Sequence, residues 1–312
     1  MSSTAASAAA ELRLIVGPTG AGKSALAMQI AERHDALIVS ADSRQIYRGF
    51  DIGTAKPTAA ERALVRHEGI DLADPTQRWS AARWARDAAA WIDVAAREGR
   101  AVVVVGGTGL WLQALVRPLA DEPKMDAAER AQLRRELAAV PTSALRARVE
   151  VLDPARAHLG RTQLLRAIEV TLLTGARMSE LHLHGSAHAP RPARWLVVDP
   201  GAALPAQLDA RRAEMLANGW LAEVESLAAR VPDDAPAWNA CGYREVRSVV
   251  RVELALDDAV DQVRIRTRQY AKRQRTWFRN QLEDVGPVAR LDPNEARAAL
   301  RADHWFTHGV LA

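Results

Sequence analysis

The sequence predicts an α/β fold: a parallel sheet flanked by helices, with a mainly helical insertion domain. Short apolar runs stand at 12–16, 36–40, 101–105 and 194–198, and helical periodicity fills the spaces between the first three. A glycine-rich phosphate loop joins the first run to the first helical segment, which makes the sheet P-loop type. Between 118 and 190 the strand signal vanishes and an Ala, Arg, Glu and Leu-rich texture replaces it.

Residues 12–16 (LRLIV) run into Gly-Pro, as a buried strand feeding a tight turn does. Helix formers follow at 23–33, with Leu26, Ala27 and Ile30 at helical spacing. Residues 36–40 form the second strand. Over 80–98, Trp84, Ala88, Trp91, Ile92 and Ala95 share helical spacing, and Gly99 ends the segment. Residues 101–105 are apolar without alternation, as expected of a strand covered on both faces. Strands alternating with helices give a doubly wound parallel sheet. Three segments result: 1–117 as the first part of the core, 118–190 as a helical insert, and 191–312 as the second part of the core. The last opens on a return strand at 194–198 and is mostly helical over 204–283.

The 312 residues suffice for a sizeable core, and 48% hydrophobic with 26% charged is ordinary for a globular protein. The single cysteine, Cys241, forms no intrachain disulfide and excludes a cysteine-based metal site; a reducing, cytoplasmic setting fits. The first ten residues lack a basic start and a long apolar stretch, so they read as a tail and not as a signal peptide. No run approaches the roughly 18 apolar residues that span a bilayer, so no membrane partner is expected.

The phosphate loop is Gly17-Pro18-Thr19-Gly20-Ala21-Gly22-Lys23-Ser24, between a strand and a helix. Its glycines let backbone N–H groups turn inward around phosphate oxygens, and the helix N-terminus adds partial positive charge. Lys23 supplies a full charge, and the Ser24 hydroxyl is a ligand for Mg²⁺. NTPases usually carry a second apolar strand ending in Asp. Here Val102–Val105 runs into Gly106-Gly107-Thr108-Gly109 with no carboxylate, which favours a diphosphate ligand with different chemistry. ATP could still occupy the loop weakly, since such a loop reads phosphates and not a base.

Asp42-Ser43-Arg44-Gln45-Ile46-Tyr47 follows directly on the second strand, so Asp42 should lie beside the phosphate loop at the carboxyl edge of the sheet. A carboxylate there serves as a general base, as a Mg²⁺ ligand or as a simple helix N-cap. Asp51-Ile52-Gly53-Thr54-Ala55-Lys56-Pro57 is a polar loop close behind it. Residues 260–280 form a helix with Val263, Thr267, Tyr270, Ala271, Gln274 and Trp277 near one face. Its other faces carry seven basic residues against Asp261 alone, a local charge of +6 where the whole chain has +4. Such concentration is the footprint of a phosphate-backbone partner. His182, His184 and His188 read as an exposed loop, and Cys241 as a packing residue. From the residues alone, a small-molecule kinase, a transferase acting on a nucleic acid and a non-catalytic RNA-binding module all stay open.

Together these clusters resemble the tRNA dimethylallyltransferase family. The matching pieces are GPTGAGKS (17–24), DSRQIY (42–47), DIGTAKP (51–57), His67 with Asp71 and Pro75, WSAARWARDA (79–88), GGTGL (106–110), RAIEV (166–170), CGYRE (241–245) and TRQYAKRQRTWFR (267–279). The resemblance implies a Mg²⁺-dependent prenyl transfer from dimethylallyl diphosphate to N6 of the adenosine just 3′ of the anticodon in tRNA. It implies that residues 17–24 grip the diphosphate, that Asp42 takes the N6 proton and that Thr108 and Arg211 contact the leaving diphosphate. It places tRNA on Asp42, Ser43, Arg44, Gln45, Gln163, Arg166, Arg244, Arg268, Gln269, Lys272 and Arg273, with the insert embracing the anticodon stem. Departures from the pattern fall at Leu159, Gly160 and Gln163, where an Asn-Asp pair and an Arg are usual, and at Gln207, where an Arg is usual.

Overall fold

The computed structural model describes residues 11–117, 119, 123–184, 190–282 and 285–311. The strands are β1 (Leu12–Val16), β2 (Leu37–Ala41), β3 (His67–Glu68), β4 (Val102–Gly106), β5 (Ala193–Val198) and β6 (Val288–Leu291). The helices are α1 (Lys23–His34), α2 (Ala59–Leu64), α3 (Ala81–Arg97), α4 (Gly109–Val116), α5 (Ala127–Ala138), α6 (Thr142–Leu152), α7 (Arg161–Thr174) and α8 (Met178–His184). They continue with α9 (Leu204–Ala217), α10 (Trp220–Ala228), α11 (Tyr243–Val250), α12 (Leu256–Asn280) and α13 (Ala298–His308). Met1–Val116 and Arg191–Ala312 form one compact unit, and Arg117–Pro190 a second.

In the first unit the six strands are all parallel, in the order β3-β2-β4-β1-β5-β6. Side chains alternate across a strand, and both sets are buried here. Ile15, Ile38, Val103, Val105 and Leu196 pack with Leu26 and Ile30 of α1 and with Trp305 and Phe306 of α13. Leu14, Val16, Val39 and Val104 point the other way and are equally buried. On that side Trp84 of α3 stacks on Trp111 of α4 at 5.1 Å, and its indole N–H donates to the Ser40 carbonyl at 3.1 Å. Burial on both faces is the physical reason these strands read as continuous apolar runs.

Sequence periodicity missed two strands and three helices, α2, α4 and α13. β3 is two polar residues paired to Ile38 and Val39, and β6 is a largely exposed edge strand beside β5. Neither has an apolar run to announce it. Helix α13 docks on α1 through Asp303, which meets Arg33 at 2.9 Å and His34 at 2.8 Å. β2 and β4 each start and end one residue later than the periodicity suggests.

The second unit is helical throughout its described residues. Leu137, Leu145, Val149, Leu164, Ala167 and Ile168 close its core between α5, α6 and α7. Asp126 caps α5 by accepting from the N–H groups of Ala128 and Glu129, and Arg161 donates to the Ala138 and Val140 carbonyls at its other end. Asp153 is buried and accepts from the Ser179 N–H and hydroxyl, fixing the start of α8. His182 and His184 stand on that helix, not in a loop, and His188 lies outside the described residues. No helix among the described residues is long and apolar enough to cross a membrane.

Glu169 of α7 is 3% exposed and holds three guanidiniums, Arg130 at 3.0 Å, Arg134 at 2.5 Å and Arg166 at 3.2 Å. Burial alone would raise its pKa. The hydrogen bonds from Arg134 and Arg130 outweigh that and hold the carboxyl below its ordinary value. Glu169→Ala is expected to cost about 3 kcal/mol in urea unfolding followed by circular dichroism, because it strands crowded guanidiniums without their counter-charge. Because the folded pKa is depressed, this contribution is present above the unfolded pKa and is lost as pH falls through the folded one. The difference between wild type and variant should therefore shrink on acidification.

Candidate active site

Parallel strands end on one edge of the sheet, so the loops after β1, β4 and β2, which are neighbours, must meet there. The Thr108 N–H donates to the Ala41 carbonyl at 3.3 Å, tying the β4 loop to the end of β2. Gly17 opens the phosphate loop at φ 148°, where a Cβ would stand 2.1 Å from the Val198 carbonyl oxygen of β5; no other residue fits. Helix α1 begins at Lys23 with Gly22 as its N-cap and no capping side chain, so its first amides are left for an anion.

The charges at this edge are arranged for an anionic ligand. The Lys23 ammonium rests on the Pro18 carbonyl at 2.7 Å. Burial, together with the Arg211 guanidinium, pulls its pKa down to about 8, against the opposing pull of Asp42. Burial lowers the pKa of Arg211 too, again offset by Asp42. Arg211 makes no hydrogen bond or ion pair among the described residues, and the Asp42 and Glu214 carboxylates oppose its desolvation only from a distance.

Asp42 accepts from the Arg44 N–H through Oδ1 at 2.8 Å, a local turn that fixes the carboxylate. Its other oxygen takes no hydrogen bond from the described residues. The Thr108 hydroxyl accepts from the Ser43 N–H at 3.1 Å and donates to the Ser43 hydroxyl at 3.4 Å. Burial, with Asp42 nearby, raises the pKa of Tyr270 and keeps its phenol protonated.

Two polar networks hold the loop that follows the 42–47 segment. The Lys56 side chain, 0% exposed, pairs with Asp51 and with Asp71 at 2.7 Å, and donates to the Tyr47 carbonyl at 2.8 Å. Glu223 accepts from the N–H groups of Asp51 and Ile52 and from the Tyr243 hydroxyl at 2.6 Å.

Helix α12 covers this edge with residues spaced i, i+4 and i+7. Tyr270 lines the same cavity as Asp42, Gln274 reaches the phosphate loop, and Trp277 packs where a Cβ on Gly109 would stand 2.3 Å from its ring. A cavity of about 490 Å³ opens here, lined on its polar side by Thr19, Asp42, Arg44, Arg211 and Arg273. Leu208, Met215, Trp220 and Val263 add apolar wall.

Residues 45–281 match the profile of the IPP transferase family. A tRNA dimethylallyltransferase of Anaeromyxobacter sp. (strain Fw109-5) is 47% identical over 277 residues, covering 86% of this chain and 92% of the relative. The chain belongs to the IPP transferase family. The corresponding enzyme of Halorhodospira halophila is 42% identical over 87% of this chain and 90% of its own length. Among solved structures, a full-length tRNA isopentenylpyrophosphate transferase of Bacillus halodurans superposes with TM-score 0.67 at 29% identity, over 95% of each chain. A eukaryotic dimethylallyltransferase acting on tRNA shares the fold, with TM-score 0.79 at 24% identity over 95% of this chain and 79% of its own.

The structure sorts the expected family residues unevenly. Asp42, Arg44, Arg211, Arg244, Gln269 and Arg273 line one cavity together with Thr19. Thr108 and Ser43 stand behind Asp42 and brace it. Gln45 accepts from the Ser40 hydroxyl and donates to the Ala55 carbonyl, so its side chain stitches β2 to the 51–57 loop. Gln163 is exposed on α7 of the other unit, where Arg166 is drawn to Glu169. Gln207, in the place of an Arg, bonds Asn294 at 3.0 Å.

The basic helix is less free than its sequence suggests. Over Leu256–Asn280 Asp257 and Asp258 join Asp261, which brings the net charge to +4. Arg264, Arg266, Arg268 and Arg275 are ion-paired with Asp261, Glu245, Asp209 and Asp199. Lys272, Arg273 and Arg279 are exposed and form no ion pair among the described residues. Phe278, not Trp277, completes the buried face. Tyr270 and Gln274 were legible only as helix-face residues; their shared spacing with Trp277 was the available signal.

The depressed pKa of Lys23 makes anion binding pH-dependent. Affinity for inorganic diphosphate, measured by calorimetry, should hold at neutral pH and fall as pH rises through about 8, where the free site loses its proton. Lys23→Met should bind about tenfold or more weakly at neutral pH, the loss of one charge-assisted contact, and show no such break.

Proposed function

We infer that this protein is a tRNA dimethylallyltransferase, which moves the dimethylallyl group of dimethylallyl diphosphate to N6 of the adenosine 3′ to the anticodon and releases diphosphate. The observation that carries this reading is one cavity in which Asp42, with a carboxylate oxygen unengaged, and the Arg211 cation stand beside apolar wall and the Thr19 end of the phosphate loop. An adenine amine is a poor nucleophile because its lone pair is delocalised into the ring. A carboxylate accepting its proton as the C–N bond forms is the remedy. Lys23, Arg211 and the amides of the phosphate loop stabilise the charge gathering on departing diphosphate. Leu208, Met215, Trp220 and Val263 suit the five-carbon chain. The target adenine must leave its stack to reach Asp42.

Mg²⁺ fits this donor set. The Ser24 hydroxyl is exposed and makes no hydrogen bond among the described residues, and the end of β4 offers no carboxylate. Most ligands then come from diphosphate and water, as this cation prefers. When bound it neutralises diphosphate charge. Gln163 and Arg166 on the insert, Arg44, Arg244 and Gln269 at the cavity, and Arg268, Lys272 and Arg273 on α12 are our assignment for tRNA, in a cytoplasmic setting.

The direct test supplies tRNA and dimethylallyl diphosphate without nucleotide and measures prenylated adenosine by mass spectrometry. Product should form, and a tRNA carrying guanosine at the target should give none; an absolute requirement for ATP would overturn the reading. Asp42→Asn should retain tRNA and slow transfer by roughly 10²–10⁴. Replacing Lys272 and Arg279 with Gln should weaken tRNA binding and flatten its salt dependence by about 0.7–0.9 log units per lost phosphate contact, with donor binding unaffected.

A further inference from the structure

Gln274 is 6% exposed and both ends of its amide are used. Its Oε1 accepts from the Thr19 N–H at 2.8 Å, and its Nε2 donates to the Gly107 carbonyl at 2.9 Å. These two partners fix which end is oxygen, since an N–H can only donate and a carbonyl can only accept. No slack exists on the Gly107 side, where a Cβ would stand 2.3 Å from Nε2.

Thr19 is the member of the phosphate loop that lines the cavity, so its N–H lies where the loop opens toward incoming ligand. In a loop that gathers phosphate through amides, that N–H would be one more donor for anionic oxygen. Here a neutral carbonyl oxygen has taken it. Anything anionic arriving beside Thr19 meets another acceptor, and two acceptors repel. The uncapped amides at the start of α1, with Lys23 and Arg211, remain for the anion.

We propose that Gln274 sets the phosphate capacity of the loop: by occupying the Thr19 amide it admits a diphosphate and rejects the additional phosphate of a triphosphate. This rests on the reading of the site as a diphosphate site, and it adds the residue that excludes nucleoside triphosphates. Gln274 acts through Thr19 and is a positioning residue, not a catalytic one.

The test measures binding of inorganic diphosphate and inorganic triphosphate to the full chain, each with Mg²⁺, in wild type, Gln274→Ala and Gln274→Glu. Wild type should prefer diphosphate. Gln274→Ala frees the Thr19 N–H and should improve triphosphate relative to diphosphate by about tenfold, the worth of one hydrogen bond to a charged group. Gln274→Glu keeps an acceptor on Thr19 and adds negative charge, so it should sharpen the preference for diphosphate. A merely structural role would weaken both ligands together and leave their ratio alone. An unchanged ratio in either variant, with circular dichroism matching wild type, overturns the proposal. Failure of wild type to bind diphosphate at all would instead count against the functional reading.

Discussion

The chemistry of this protein depends on one geometric constraint: every strand of its sheet runs the same way. All strand ends therefore open on one edge, and the loops after adjacent β1, β4 and β2 have nowhere else to go. This brings a phosphate loop, a glycine-threonine turn and an Asp42-bearing turn within hydrogen-bonding reach without any of them being close in sequence. Helix α12 then closes over the edge, where Gln274 bonds the phosphate loop and Trp277 packs against Gly109.

Loops alone would hold Asp42 poorly, and the structure spends buried polar groups on fixing them. Lys56 has no solvent exposure, and Asp51, Asp71 and the Tyr47 carbonyl surround its side-chain nitrogen. Glu223 and Tyr243 do the same for the amides of 51–53. Removing one member of such a set leaves its partners charged and dry, which costs more than the contact itself is worth. The opposite holds at the phosphate end, where Lys23 and Arg211 are desolvated and neither forms an ion pair among the described residues. Rigid framing on one side and unbalanced positive charge on the other is what an anionic leaving group requires.

Much of this was legible in the sequence where the signal is local. The phosphate loop, the core strands and the family motifs are contiguous, and burial on both faces wrote itself into the apolar runs. What could not be read depends on distant partners. β3 and β6 exist because neighbouring strands pair with them, not because of their composition. Gln45 looks like a recognition residue until Ser40 and Ala55 claim it. Arg268 and Arg275 count as free charge until Asp209 and Asp199, on another part of the chain, neutralise them. Gln274 had been a polar intruder on a helix face; only the fold reveals that the phosphate loop is its partner.

The bond between Thr19 and Gln274 joins positions 255 apart. β1 likewise waits for β5, which follows only after the helical insert. During synthesis the phosphate loop leaves the ribosome early, yet its geometry is completed only when α12 has emerged and docked. Contacts of such sequence separation form late and slowly. A nascent or prematurely terminated chain lacking α12 would carry the complete phosphate-loop motif and no finished site. The chain thus completes its phosphate loop in the same step that docks its basic helix.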